Sequence, residues 1–145
     1  MAGPSRRSRP SRSSTRSPAR YRSDVADELC FASATWLAQA IRSRQISSLE
    51  AVDACLARIG VVNARLNAVV RLTDDARERA RDADRSLAGG NADGPLHGVP
   101  FTLKDSLDTR GVVTTAGTMG WRDRVPARDA TVAARLKVAG GILLG

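Results

Sequence analysis

Residues 94–108 read GPLHGVPFTLKDSLD, and their reading decides what fold the rest of the chain builds. Gly94, Pro95 and Gly98 are turn formers, so the chain reverses here before it extends. In the VPFTL that follows, period-two alternation puts Val99, Phe101 and Leu103 on one face of a strand and Thr102 with Lys104 on the other. The strand ends on one of only two lysines in a chain that otherwise draws its positive charge from arginine. Arginine stays charged in nearly any surroundings, whereas a desolvated lysine gives up its proton and can act as a base. Residue type alone favours the plainer reading of a solvated lysine at a strand end, and alternation by itself does not bury Lys104.

Downstream, GVVTTAGT (111–118) is rich in small and hydroxyl residues. Asp129 is expected to cap a helix over ATVAARLKVA, closed by Gly140 and Gly141 before the apolar ILLG (142–145). Strand, long crossover, helix and strand imply a parallel sheet with helices packed on it, an α/β arrangement.

Upstream the pattern is helical. Ser33 stands as N-cap to ATWLAQAIRSRQ (34–45), where Leu37, Ala40, Ile41 and Arg44 share a face. Ser47 and Glu50 have capping-box spacing, and Val52, Cys55, Leu56 and Ile59 recur at helical intervals until Gly60, which is expected to end the helix. LNAVVRL (66–72) fits a short strand or the tail of that helix equally well. In TDDARERARDADRSLAGG (73–90), Thr73 is the expected cap, Asp75 and Arg79 make an i,i+4 pair, and Ala76, Ala80, Ala83 and Leu87 form an apolar seam. Its charges read as a solvated face.

Composition bounds the function. The net charge of +8 is concentrated in residues 1–22, which hold seven arginines and no acid. This Ser/Arg/Pro-rich segment, residues 1–23, is expected to be a disordered tail, with weak polyanion binding or organelle targeting as the other readings of its make-up. Residues 24–145 are nearly neutral, so nucleic acid is expected to bind weakly through the tail if at all. Cys30 and Cys55 form no CxxC motif, and with a single histidine the chain offers no zinc ligand set. Reduced, structural thiols, no metal and no cofactor are expected. No apolar run is long enough to span a bilayer, and the protein is expected to be soluble and cytoplasmic, with no membrane partner.

The run DGPLHGVPFTLKDSLDTRGVVTTAGT, followed by the spaced DATVAARLKVAGGILLG, resembles the opening part of the amidase signature family, hydrolases of amide carbon–nitrogen bonds. The resemblance implies an α/β fold with a mixed sheet flanked by helices and a small-molecule amide as substrate of the complete enzyme. It also implies a triad of a nucleophilic serine, a bridging serine in a cis peptide and a lysine that is the final proton acceptor, and this lysine maps onto Lys104. His97 is expected to be structural, Asp105 and Asp108 to make backbone or capping hydrogen bonds, and Thr114, Thr115, Ala116, Gly117 and Thr118 to frame the site. The Gly/Ser-rich loop that supplies both serines in the family has no counterpart in this sequence. The chain is therefore expected to be the N-terminal portion of an amidase, inactive alone, or of the A subunit of a tRNA-dependent amidotransferase. The alternatives are a non-catalytic binding module with a basic tail and, more remotely, a small enzyme using a Ser106–Lys104 dyad.

Overall fold

Serine oxygens start the two helices that open the described fold after Ser33. In the computed structural model, which describes residues 28–145, α1 (Ala34–Arg42) opens with the Trp36 amide donating to Ser33 Oγ at 3.1 Å. Leu37, Ala40 and Ile41 form its buried face, while Arg44 lies beyond the helix with φ of 59° and so does not share that face. α2 (Ser48–Leu66) opens on the expected capping box, with Glu50 N donating to Ser47 Oγ and Ser47 N to Glu50 Oε2. It runs through Gly60 and ends about two turns later at left-handed Asn67. A single glycine costs a helix only about 1 kcal/mol, too little by itself to stop one already nucleated. Residues 68–72 then continue neither as helix nor as strand.

α3 (Ala76–Ala88) presents Ala76, Ala80 and Ala83 to Val52 of α2, with Ile142 and Leu144 completing the cluster. Thr73 does not cap it. The Thr73 hydroxyl donates instead to Leu143 O at 2.9 Å, and the Thr73 amide to Leu144 O at 2.9 Å. The Asp75–Arg79 pair is present at 3.8 Å on the exposed face.

β1 (Pro100–Phe101) and β2 (Ile142–Leu143) pair in parallel, Pro100 opposite Ile142 and Phe101 opposite Leu143. The ladder carries one step further, because Leu103 N donates to Gly145 O at 2.9 Å. Between the strands lie a 3₁₀ turn (Met119–Trp121) and α4 (Thr131–Val138). Asp129 is not the cap of α4; its carboxylate is taken by the Arg110 amide at 2.8 Å and the Lys137 ammonium at 2.7 Å. Among the described residues no helix is long and apolar enough to cross a membrane. The tail expected over residues 1–23 lies outside the described residues.

Candidate active site

A parallel sheet leaves a crevice beyond the carboxyl ends of its strands, where ligands of open α/β folds bind. Here that position holds a pocket of about 270 Å³. Leu143 and Gly145 of the β2 end line it, with Leu103 and Lys104 following β1 and Val69 to Arg71 beside the outer edge of β2. Alternation along β1 works as expected: Val99 is buried and Phe101 and Leu103 half-buried, whereas Thr102 and Lys104 are exposed. Thr102, Leu103 and Lys104 all line the pocket, so it is the chain leaving the end of β1, and not one face of the strand, that brings Lys104 there.

The two lysines have different surroundings. Lys137 is in a half-buried ion pair with Asp129. Among the described residues no carboxylate pairs with Lys104, which opens a tight turn closed by Leu107 N donating to Lys104 O at 2.9 Å. That turn places Asp105 against the Thr/Gly segment expected to frame the site. Asp105 Oδ1 accepts from the Thr115 amide at 2.8 Å, Oδ2 accepts a very short bond from the Thr115 hydroxyl, and the Asp105 carbonyl accepts from Ala116 N at 3.1 Å. The Thr115 hydroxyl, with the Thr115 and Gly117 amides, outweighs burial and holds the Asp105 carboxyl below the usual carboxylate range. Ala116 and Gly117 are both left-handed, with φ of 49° and 74°. A left-handed alanine is strained by about 1–2 kcal/mol, so the Asp105 bonds sustain a backbone shape that the sequence alone disfavours.

Asp108 is also a structural anchor. Its carboxylate receives both Arg124 nitrogens at 2.6 and 2.7 Å, and this bond, with the guanidinium charge, keeps its carboxyl below the usual range. Arg124 in turn lies 4.8 Å from the Trp121 ring centroid and accepts the Thr114 amide on its carbonyl. His97 is buried, Nδ1 accepting from Asp93 N at 2.9 Å and Nε2 facing Ala83 O at 3.0 Å, so it ties the turn to α3. Ser106 is exposed. Arg71 is a pocket residue that sequence reasoning missed, since an arginine between a helix and a capping motif carries no signal of its own.

Residues 50–145 match the family model described as Amidase. The chain belongs to the amidase signature family. It is 44% identical over 119 residues to the A subunit of the glutamyl-tRNA(Gln) amidotransferase of Moorella thermoacetica, covering 81% of this chain and 24% of that one. Native peptide amidase of Stenotrophomonas maltophilia superposes with a TM-score of 0.75 at 32% identity, over 79% of this chain and 24% of the other. A bacterial aryl acylamidase of the amidase signature family gives 0.73 at 30% identity, over 79% and 24%. This amidase-family chain spans about a quarter of the length of these relatives.

Proposed function

We propose that Lys104 is the proton acceptor for hydrolysis of an amide carbon–nitrogen bond, with both serines supplied from outside these 145 residues. The observation that supports this reading is the position of Lys104 at the carboxyl end of a parallel strand pair, lining a pocket and without an acidic partner among the described residues, while Lys137 is ion-paired. In the family mechanism the nucleophilic serine attacks the amide carbonyl as its proton passes through the bridging serine to the lysine amine. A lysine accepts a proton only when desolvated. Lys104 is exposed here, so the reading requires a further surface to close over the pocket. Asp105 and the Thr115–Thr118 segment act as framework beside it.

The 145-residue chain alone is expected to hydrolyse no simple amide, since without its nucleophile such an enzyme loses most of its rate enhancement. In a protein that joins this segment to a Gly/Ser-rich loop, Lys104→Arg should lower kcat by roughly 10²- to 10⁴-fold, the usual share of a general base. Ser106→Ala should leave turnover unchanged. A joined enzyme that tolerates Lys104→Arg refutes the assignment, and turnover by the 145-residue chain that vanishes in Ser106→Ala replaces it with the local dyad.

The 44% identity to the A subunit of a glutamyl-tRNA(Gln) amidotransferase favours a second reading, in which this segment belongs to the A subunit of a tRNA-dependent amidotransferase. Activity of the joined enzyme that depends on partner subunits and tRNA would single out this reading; turnover of simple amides without partners would single out the stand-alone amidase.

A further inference from the structure

The residues just ahead of α1 lie along α2 rung by rung. Leu29 is buried in one cluster with Ala51 and Ala54. Cys30 packs against that same cluster, whose Ala54 stands one residue from Cys55 on α2, and its side chain acts on the Cys55 thiol. The Arg58 guanidinium lies 5.7 Å from the Phe31 ring centroid. The partners at 54, 55 and 58 climb one side of α2 by helical steps, so an apolar contact and a cation–π contact flank the thiols and hold them together. Both thiols are half-buried and not joined by a disulfide.

We propose that Cys30 and Cys55 form a dithiol modification site, which a low-molecular-weight disulfide of the glutathione class converts into an intrachain disulfide. In the first step the Cys30 thiolate attacks one sulfur of the reagent, forming a mixed disulfide and releasing one glutathione thiolate, which takes up a proton. In the second, Cys55 loses its proton to solvent and attacks the Cys30 sulfur, closing the protein disulfide and expelling the second glutathione thiolate. Two protein thiols are oxidised and one reagent disulfide is reduced to two thiols, so atoms and electrons balance.

The order of attack follows from the surroundings. Burial first, then the charge of Cys30 and its hydrogen bond, push the Cys55 thiol up to about 11, so Cys55 keeps its proton and Cys30 is the first nucleophile. Once Cys30 is in the mixed disulfide it bears no charge. The rise that the charge of Cys30 causes is absent when Cys55 must react, whereas the rise from burial remains. The bridge encloses α1 and fastens the preceding helical residues to α2, which removes freedom from the unfolded chain.

The test is exposure of the 145-residue chain to excess oxidised glutathione, in buffer and in strong denaturant, with acid quenching, intact mass and peptide mapping. The native chain should become lighter by two hydrogens, with the Cys30 and Cys55 peptides joined, and should close at least about tenfold faster than in denaturant because folding raises the effective concentration of one thiol near the other. Cys30→Ser and Cys55→Ser should each stop at a single mixed disulfide. Adducts on both cysteines, a bridge between two chains, or closure no faster than in denaturant would each overturn the proposal.

Discussion

Ser48 is fully buried, and its hydroxyl has no hydrogen-bond partner among the described residues. A Cβ added to Gly98 would sit 2.0 Å from that hydroxyl and 2.8 Å from the Ser48 Cβ. Removing an unsatisfied buried hydroxyl relieves a desolvation cost, so Ser48→Ala should raise stability by about 1 kcal/mol, read as a higher urea midpoint at unchanged slope. Gly98→Ala should lower it by more than about 2 kcal/mol, since the clash adds to a φ of 74° that alanine resists. The double variant should recover only part, because the Ser48 Cβ and the backbone conformation both remain. Lys104 drew notice in the sequence because it broke a habit of arginine. The Ser48–Gly98 contact was not, because nothing local marks two residues fifty positions apart as neighbours.

At the scale of elements, the start of α2 shows where legibility ends. Its capping box is a four-residue motif and could be read directly, but half of the cap is supplied from α3. Asp84 accepts the Ser48 amide at 2.7 Å and the Leu49 amide at 3.2 Å, satisfying two of the donors that every helix start leaves open. Ser47→Ala should cost about 1 kcal/mol. Asp84→Ala should cost about 2 kcal/mol, since two amides lose a charged acceptor, and Asp84→Asn should fall between the two; equal urea midpoints for Asp84→Ala and wild type would refute the role. The same physics explains the misplaced caps. Thr73 and Asp129 carry capping side chains but stand two residues and one residue ahead of the actual N-caps, Asp75 and Ala130, and they bond instead to Leu143 and to Arg110 and Lys137. Gly60 failed as a stop because one glycine costs a helix only about 1 kcal/mol, and the left-handed Asn67, its amide on Asn63 O, supplies the stop instead. The alternation into Lys104 held because a half-buried strand obeys its own period whatever lies elsewhere.

For the whole molecule, three carboxylates set the response to acid. Asp105 and Asp108 are held below the usual range by Thr115 and Arg124, and at Asp129 burial pushes upward but is outweighed by Lys137 and the Arg110 amide. A depressed folded pKa gives stability that is complete above the unfolded value and is lost as pH falls through the folded one. Unfolding followed by circular dichroism should therefore be flat near neutrality and should ease steadily below about pH 4, and Asp105→Asn should reduce that slope. Apolar side chains stand in water on the second half of α2 and beyond it, Val61 at 75%, Leu66 at 62% and Val70 at 59% exposure, so sedimentation velocity should detect association that grows with concentration. The parallel strand pair also orders assembly in time. α2 and α3 meet across a short connection, whereas β1 reaches β2 only after the whole crossover between Phe101 and Ile142 has been gathered in, and the entropy of that loop must be overcome before the ladder forms. The helical pair is expected to form before the sheet, so that the pocket beside Lys104 is the last part of the molecule to exist, an order that stopped-flow refolding with one probe on the helices and one at the pocket would read.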